Sequence, residues 1–212
     1  MICVCLAEIS FAECLAAVQQ LEFAEIRLDL LDLDSDQLHA VFAANKNLIA
    51  TCRPGKYDEA ERKALLLAAV AAGAAYVDVE MEAGDAFKNE IMQAAKARNC
   101  QIIVSYHDFE KTPPRPELEH IVQWCAECGP DIIKIACTTH SDRDNARLLG
   151  LLDSDRRMLV LGMGEKGKIT RVVSPLLGSF CTFAAYAADK STGPGQLSNE
   201  VLESLLSQLQ QL

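Results

Sequence analysis

Lys134 sits in the stretch GPDIIKIACTT (129–139), with Ile132, Ile133 and Ile135 around it. The β-branched run reads as a buried strand. An ammonium in an apolar interior is costly unless it is paired or gives up its proton. The lysine therefore needs either a structural partner or a task. A buried lysine whose proton affinity is lowered by burial and by neighbouring cations is a good amine nucleophile toward carbonyl carbon. Arg27, Arg53 and Arg171 can provide those cations and can also bind a carboxylate in bidentate fashion. His107, in SYHDF, is of the type that moves protons near neutral pH. This set points to carbonyl chemistry through a Schiff base on a small, anionic, hydroxylated substrate. The imine would be the electron sink, and the sequence contains no recognisable metal-ligand cluster.

These residues need elements that bring them together. Short apolar runs recur at 2–6, 24–30, 47–52, 75–80, 100–106, 131–136, 157–162 and 179–184, with amphipathic stretches between them. Strict strand–helix alternation predicts a parallel sheet with right-handed crossovers. Eight repeats predict an α/β fold, a single-domain (β/α)8 TIM barrel spanning residues 1–212, with no linker or composition break. A doubly wound open sheet is the alternative pattern, although no G-x-G-x-x-G follows the first run. Asp34 or Ser35 can cap the second helix, Gly73 can end the third, and Pro113, Pro114 and Pro116 open the fifth. The Gly-rich segment after the seventh strand gives the weakest helix signal.

In a barrel, catalytic groups gather at the C-terminal ends of the strands. Glu25, Arg27 and Asp29 would share one face of strand two, and Arg53 follows strand three. Asp78 and Glu80 end strand four, Ser105, His107 and Asp108 end strand five, and Arg171 lies in GMGEKGKITR beyond strand seven. Each residue also has a structural reading. Glu25 and Arg27 could be a buried ion pair at the barrel floor, His107 a satisfied strand-end histidine, and Asp108 the cap of the next turn. GMGEKGK has the composition of a phosphate-cradling loop. His39, His120 and His140 fall in helical or loop segments and read as surface.

The formal net charge of −10 argues against nucleic acid as a partner. No apolar run reaches the roughly 20 residues that span a bilayer, and MICVCLAEIS lacks the basic start of a signal peptide. The odd total of 9 cysteines, several within apolar runs, suits small core residues in a reducing cytoplasm better than a disulfide framework. Cys125 and Cys128 form a lone CxxC; without a second such pair it reads as helix packing in preference to a redox or zinc site.

At these same residues the chain resembles a known family. EIRLDLL, TCRPG, SYHDF, IIKIA, GMGEKGKITR and GPGQLS, in this order, are similar to type I 3-dehydroquinate dehydratase, the third enzyme of the shikimate pathway. The resemblance runs from strand one to Gln196. It implies that Lys134 forms an imine with the C3 ketone of 3-dehydroquinate and that His107 removes the C2 proton, aids departure of the C1 hydroxyl and assists imine formation and hydrolysis. It implies that Glu25, Arg27 and Arg53 contact substrate hydroxyls and the reacting region, and that Arg171 clamps the carboxylate. Thr192 and Gln196 would belong to a loop closing over the substrate, with Ser191 the alternative hydroxyl, because STGPGQ stands where relatives show a pattern like SAPGQ. Cys5 stands where a serine is frequent, Met163 and Phe183 match an apolar wall, and Asp58, Glu59 or Glu80 could support His107. The resemblance further implies a cytoplasmic homodimer acting on a small molecule without metal or cofactor. A Schiff-base aldolase and a metabolite-binding barrel without activity are the rival readings.

Overall fold

The computed structural model describes residues 1–211, so position 212 of the expected domain lies outside the described residues. The strands are β1 (Ile2–Leu6), β2 (Ala24–Arg27), β3 (Leu48–Thr51), β4 (Tyr76–Glu80), β5 (Gln101–Asp108), β6 (Ile132–Thr138), β7 (Met158–Met163) and β8 (Thr182–Ala185). The helices following them are α1 (Phe11–Gln20), α2 (Ser35–Ala44), α3 (Glu59–Ala72), α4 (Asp85–Ala97), α5 (Arg115–Glu127), α6 (Asp142–Leu149), α7 (Lys168–Val173) and α8 (Asn199–Gln210). The strand order β7-β6-β5-β4-β3-β2-β1-β8 with alternating helices is that of a (β/α)8 barrel. Contacts gather in two compact units, residues 4–103 and the remainder of the chain.

In residues 4–103, β1, β2, β3 and β4 pair in parallel, with Glu25 opposite Cys5 and Ile49 and with Asp78 opposite Thr51. Three helices start with reciprocal capping boxes: Ser10 with Glu13, Asp34 with Gln37, and Asp58 with Glu61. In each, the side chains satisfy amides that the first turn leaves unpaired. Asp34, not Ser35, is the cap of α2. Gly73 ends α3 in the left-handed region, at φ 108°, where a side chain would be strained. β2 is shorter than its apolar pattern predicts. The Leu30 amide bonds to Arg27 O at 2.9 Å, turning the chain, so Asp29 projects from a turn and not from the strand.

In the remainder, β6 and β7 pair from Ile133↔Met158 to Thr138↔Met163. α5 starts behind Pro114, with a second proline, Pro116, in its first turn. The Gly-rich segment is helical only over Lys168–Val173, between 3-10 turns Glu165–Gly167 and Ser174–Leu177. Close packing explains Gly162 and Gly167: a Cβ on Gly167 would run into the backbone of Gly162. The Thr170 hydroxyl bridges the two, accepting from the Gly162 amide at 2.7 Å and donating to Gly167 O at 2.7 Å. GMGEKGK is thus occupied by its own packing. Leu202 and Leu206 of α8 pack with Ala184 of β8.

The cysteines are core residues. Eight are buried, Cys128 is half-buried at the end of α5, and no disulfide joins them. Burial pushes the Cys14 thiol up to about 11 and those of Cys52 and Cys137 up to about 12. They therefore stay protonated and unreactive near neutral pH.

Candidate active site

The polar residues at the ends of β2, β3 and β4 form a network of alternating charge. Glu25, 4% exposed, accepts from the Thr51 hydroxyl at 2.8 Å and from the Cys5 thiol at 3.1 Å. Cys5 therefore supplies a donor, though a weak one, where a serine was expected. The hydrogen bonds of Arg27 go to Asp29, Nε to Oδ1 at 3.0 Å and Nη2 to Oδ2 at 2.6 Å. The turn after β2 presents Asp29 side-on to the guanidinium, so Asp29 takes the hydrogen bonds that a Glu25–Arg27 floor pair would have made, and Glu25 acts on Arg27 through its charge.

Arg53 joins two carboxylates of β4, Nη2 to Asp78 Oδ2 at 2.8 Å and Nη1 to Glu80 Oε1 at 2.7 Å. Burial alone would lower its proton affinity, but the charges of Asp78, Glu80 and Glu25 outweigh that and raise it above the ordinary arginine value. For Arg27, burial again lowers and the Asp29 hydrogen bond, with the charges of Glu25 and Asp29, raises it to a net increase. Both are permanent cations. Of the three acids considered as support for His107, Asp58 caps α3, Glu59 is exposed, and Glu80 is divided between Arg53 and Arg62.

Arg62 escaped the sequence reading. It is 6% exposed and donates Nη2 to Glu80 Oε2 at 2.6 Å and Nε to Cys52 O at 2.9 Å. A signal was present: Arg62 shares the buried face of α3 with Leu66, Ala69 and Val70, at the i, i+4, i+7 and i+8 positions of an apolar stripe. A charge on such a stripe requires a buried partner.

The other unit carries Lys134, His107, Arg171 and the loop with Thr192 and Gln196. Lys134 is 5% exposed, and its Nζ lies 4.3 Å from the centroid of the Phe183 ring on β8. An ammonium is attracted to the face of an aromatic ring. Arg171 is 3% exposed, donating Nη1 to Phe183 O at 3.4 Å and Nη2 to Pro194 O at 3.2 Å. Phe183 thus touches Lys134 through its ring and Arg171 through its carbonyl. Met163 is buried at the end of β7.

The loop of Pro194 and Gln196 is built on itself and on the segment after β7. Thr192 donates to Gln196 Oε1 through its amide at 2.7 Å and its hydroxyl at 3.1 Å. The exposed Ser191 instead donates to Gly193 O at 2.9 Å. Of the two hydroxyls, Thr192 is the one coupled to Gln196. The Gly164 amide donates to Pro194 O at 3.1 Å. Gly195 has φ 72°, and a Cβ there would collide with Gly164 O.

His107 is half-buried near the end of β5, stacked at 12° on exposed Phe109 with centroids 5.9 Å apart. Asp108 does close the next turn, its Oδ1 accepting from the amides of Glu110 and Lys111 at 2.9 Å each. The loop is latched to β6: Thr138 Oγ1 donates to Phe109 O at 2.9 Å, and Thr112 Oγ1 donates to Thr138 O at 2.8 Å. The segment after His107 is therefore tied to the strand that carries Lys134. His39, His120 and His140 are exposed.

Among the described residues no cluster of His, Cys, Asp and Glu could hold a metal ion. Among the same residues no helix is long and apolar enough to cross a membrane.

A (β/α)8 barrel with buried charged groups at the C-terminal ends of its strands is the arrangement of barrel enzymes. The family model described as type I 3-dehydroquinase matches residues 2–212. The 3-dehydroquinate dehydratase of Methanosarcina mazei is 34% identical over 212 residues, covering 92% of this chain and 88% of that protein. That of Thermococcus gammatolerans is 37% identical over 191 residues, covering 87% and 86%. Among solved structures, 3-dehydroquinate dehydratase from Aquifex aeolicus VF5 matches with a TM-score of 0.84 at 26% identity, covering 100% of both chains. The Geobacillus kaustophilus HTA426 structure matches in fold with a TM-score of 0.86 at 24% identity, covering 99% and 91%. The chain belongs to the type I 3-dehydroquinase family, and with it to the 3-dehydroquinate dehydratases.

Proposed function

We propose that the chain converts 3-dehydroquinate to 3-dehydroshikimate through a Schiff base on Lys134, as a single catalytic domain over residues 1–212. Its place is the third step of the shikimate pathway toward chorismate and aromatic amino acids, in the cytoplasm and as a homodimer. The observation that carries the mechanism is Lys134 itself, 5% exposed on a strand of apolar neighbours, with its Nζ against the face of Phe183. A solvated structural lysine has no reason to lie there, whereas an amine that must meet a substrate ketone out of water does.

The Lys134 amine adds to the C3 ketone and expels water, giving a protonated imine. That imine draws electrons from the C2–H bond, so His107 can remove the C2 proton and leave an enamine. The enamine then expels the C1 hydroxyl, which takes a proton from His107 and departs as water. Hydrolysis of the imine returns the lysine and releases product, so the balance is the loss of one water from substrate. Glu25, Arg27 and Arg53 hold the substrate hydroxyls and the reacting region, and Arg171 binds the carboxylate. Thr192 and Gln196 cover it from the loop.

Because the imine is the electron sink, turnover needs no metal. Purified chain mixed with 3-dehydroquinate should develop the ultraviolet absorbance of the conjugated product at the same rate with or without EDTA. No product, or activity that returns only with a divalent ion, would overturn the reading.

Arg171→Ala should act mainly on binding. Loss of a charge-assisted bidentate contact is worth roughly 2–3 kcal/mol, so KM should rise about 30- to 160-fold with kcat changed much less. An unchanged KM would remove Arg171 from the carboxylate site.

A further inference from the structure

We propose that Arg62 is a positioning residue that fixes Arg53 in its substrate-binding orientation, acting through Glu80 and through the peptide that precedes Arg53. The inference rests on the reading of Arg53 as a substrate contact.

β3 ends at Thr51, and the Thr51 carbonyl is taken by the Leu28 amide at 2.8 Å. Cys52 and Arg53 therefore lie just past the regular ladder, where a substrate-binding side chain would otherwise swing with its backbone. Arg62 meets that need twice. Its Nε donates to Cys52 O at 2.9 Å, which holds the plane of the peptide whose nitrogen belongs to Arg53. Its Nη2 meets Glu80 Oε2 at 2.6 Å, while Glu80 Oε1 takes Arg53 Nη1 at 2.7 Å. One guanidinium thus holds both the main chain and, through one carboxylate, the side chain of Arg53.

The arrangement is well packed. The Arg62 guanidinium lies 5.1 Å from the centre of the Phe87 ring, and the residue is 6% exposed. Asp78 holds the other arm of Arg53 at 2.8 Å, and the charge of Glu25 acts on the same guanidinium. Without Arg62, Glu80 keeps a buried oxygen that has lost its donor, and its carboxylate can rotate onto Arg53 and draw it away from substrate. A lysine cannot substitute fully, since one ammonium does not span two acceptors in the fixed geometry of a guanidinium fork.

The test is a double-mutant cycle with Arg62→Gln and Arg53→Ala, reading kcat/KM for 3-dehydroquinate and, separately, the thermal midpoint. Arg62→Gln should lower kcat/KM roughly ten- to hundredfold, the range that displacement of a binding group produces, and Arg62→Lys should fall between it and wild type. In the Arg53→Ala background the same Arg62→Gln change should alter kcat/KM less than about twofold, although the midpoint still drops. A purely structural Arg62 would give kinetic effects that multiply, which overturns the inference, as would Arg62→Gln with unaltered kinetics. If Arg53→Ala itself leaves kcat and KM unchanged, the reading of Arg53 fails and the inference with it. Should Arg62→Gln not fold, Arg62→Lys carries the same cycle.

Discussion

Lys134→Ala should lose kcat by on the order of 10⁴-fold or more, the scale seen when a covalent nucleophile is removed from an enzyme, while still binding substrate. Without the amine, the C2 proton must be removed beside a neutral ketone, and no protonated imine accepts the electrons. The groups proposed to bind the substrate have hydrogen bonds of their own: Arg171 donates to Phe183 O and Pro194 O, and Arg53 to Asp78 and Glu80. Strand β6 is fixed by its register with β7, where Lys134 pairs with Leu159, so the variant should fold. Calorimetric titration with 3-dehydroquinate should give a Kd close to the wild-type KM alongside lost turnover. Near-normal turnover would show that Lys134 is not the nucleophile.

His107→Ala should also be severely slowed, by about 10²- to 10⁴-fold in kcat, the usual contribution of a general acid–base. It should differ from Lys134→Ala in kind. Imine formation needs above all the amine and ketone to meet, with the histidine only assisting, whereas C2 deprotonation and departure of the hydroxyl need the histidine at every turnover. The variant should therefore accumulate the covalent adduct and remain trappable. Asp108 holds the following turn through two amides and Thr138 latches Phe109 O, so loss of the imidazole leaves the loop in place. Unchanged kcat would reduce His107 to a strand-end residue.

Much of this was readable without coordinates, for physical reasons that differ between elements. β-branched runs such as those around Ile49, Val77 and Ile133 have few alternatives to a buried parallel strand, and all eight expected strands are present. Boundaries were less legible. The alternation of Glu25 to Leu30 continues past the real end of β2, because a turn closed by backbone bonds at Arg27 leaves no mark on side-chain polarity. β5 and β6 run two residues past their apolar stretches, to Asp108 and Thr138, which places His107 within a strand.

Among the charged residues, sequence identified Glu25, Arg27 and Arg53 as a group, but not who pairs with whom. Asp29 took Arg27 and Glu80 took both Arg53 and Arg62, since pairing depends on where backbones converge and not on spacing along one chain. Arg62 was overlooked because a helical arginine among Glu59, Glu61 and Lys63 looks like solvent-facing charge. Only its phase with Leu66 and Val70 places it inside.

The most direct measurement of the central claim is a borohydride trap. Protein mixed with 3-dehydroquinate and sodium borohydride, then digested and weighed by mass spectrometry, should carry the reduced adduct on the peptide containing Lys134 and lose activity in proportion. Product formation with no adduct at Lys134, or an adduct confined to another lysine, would contradict the Schiff-base account.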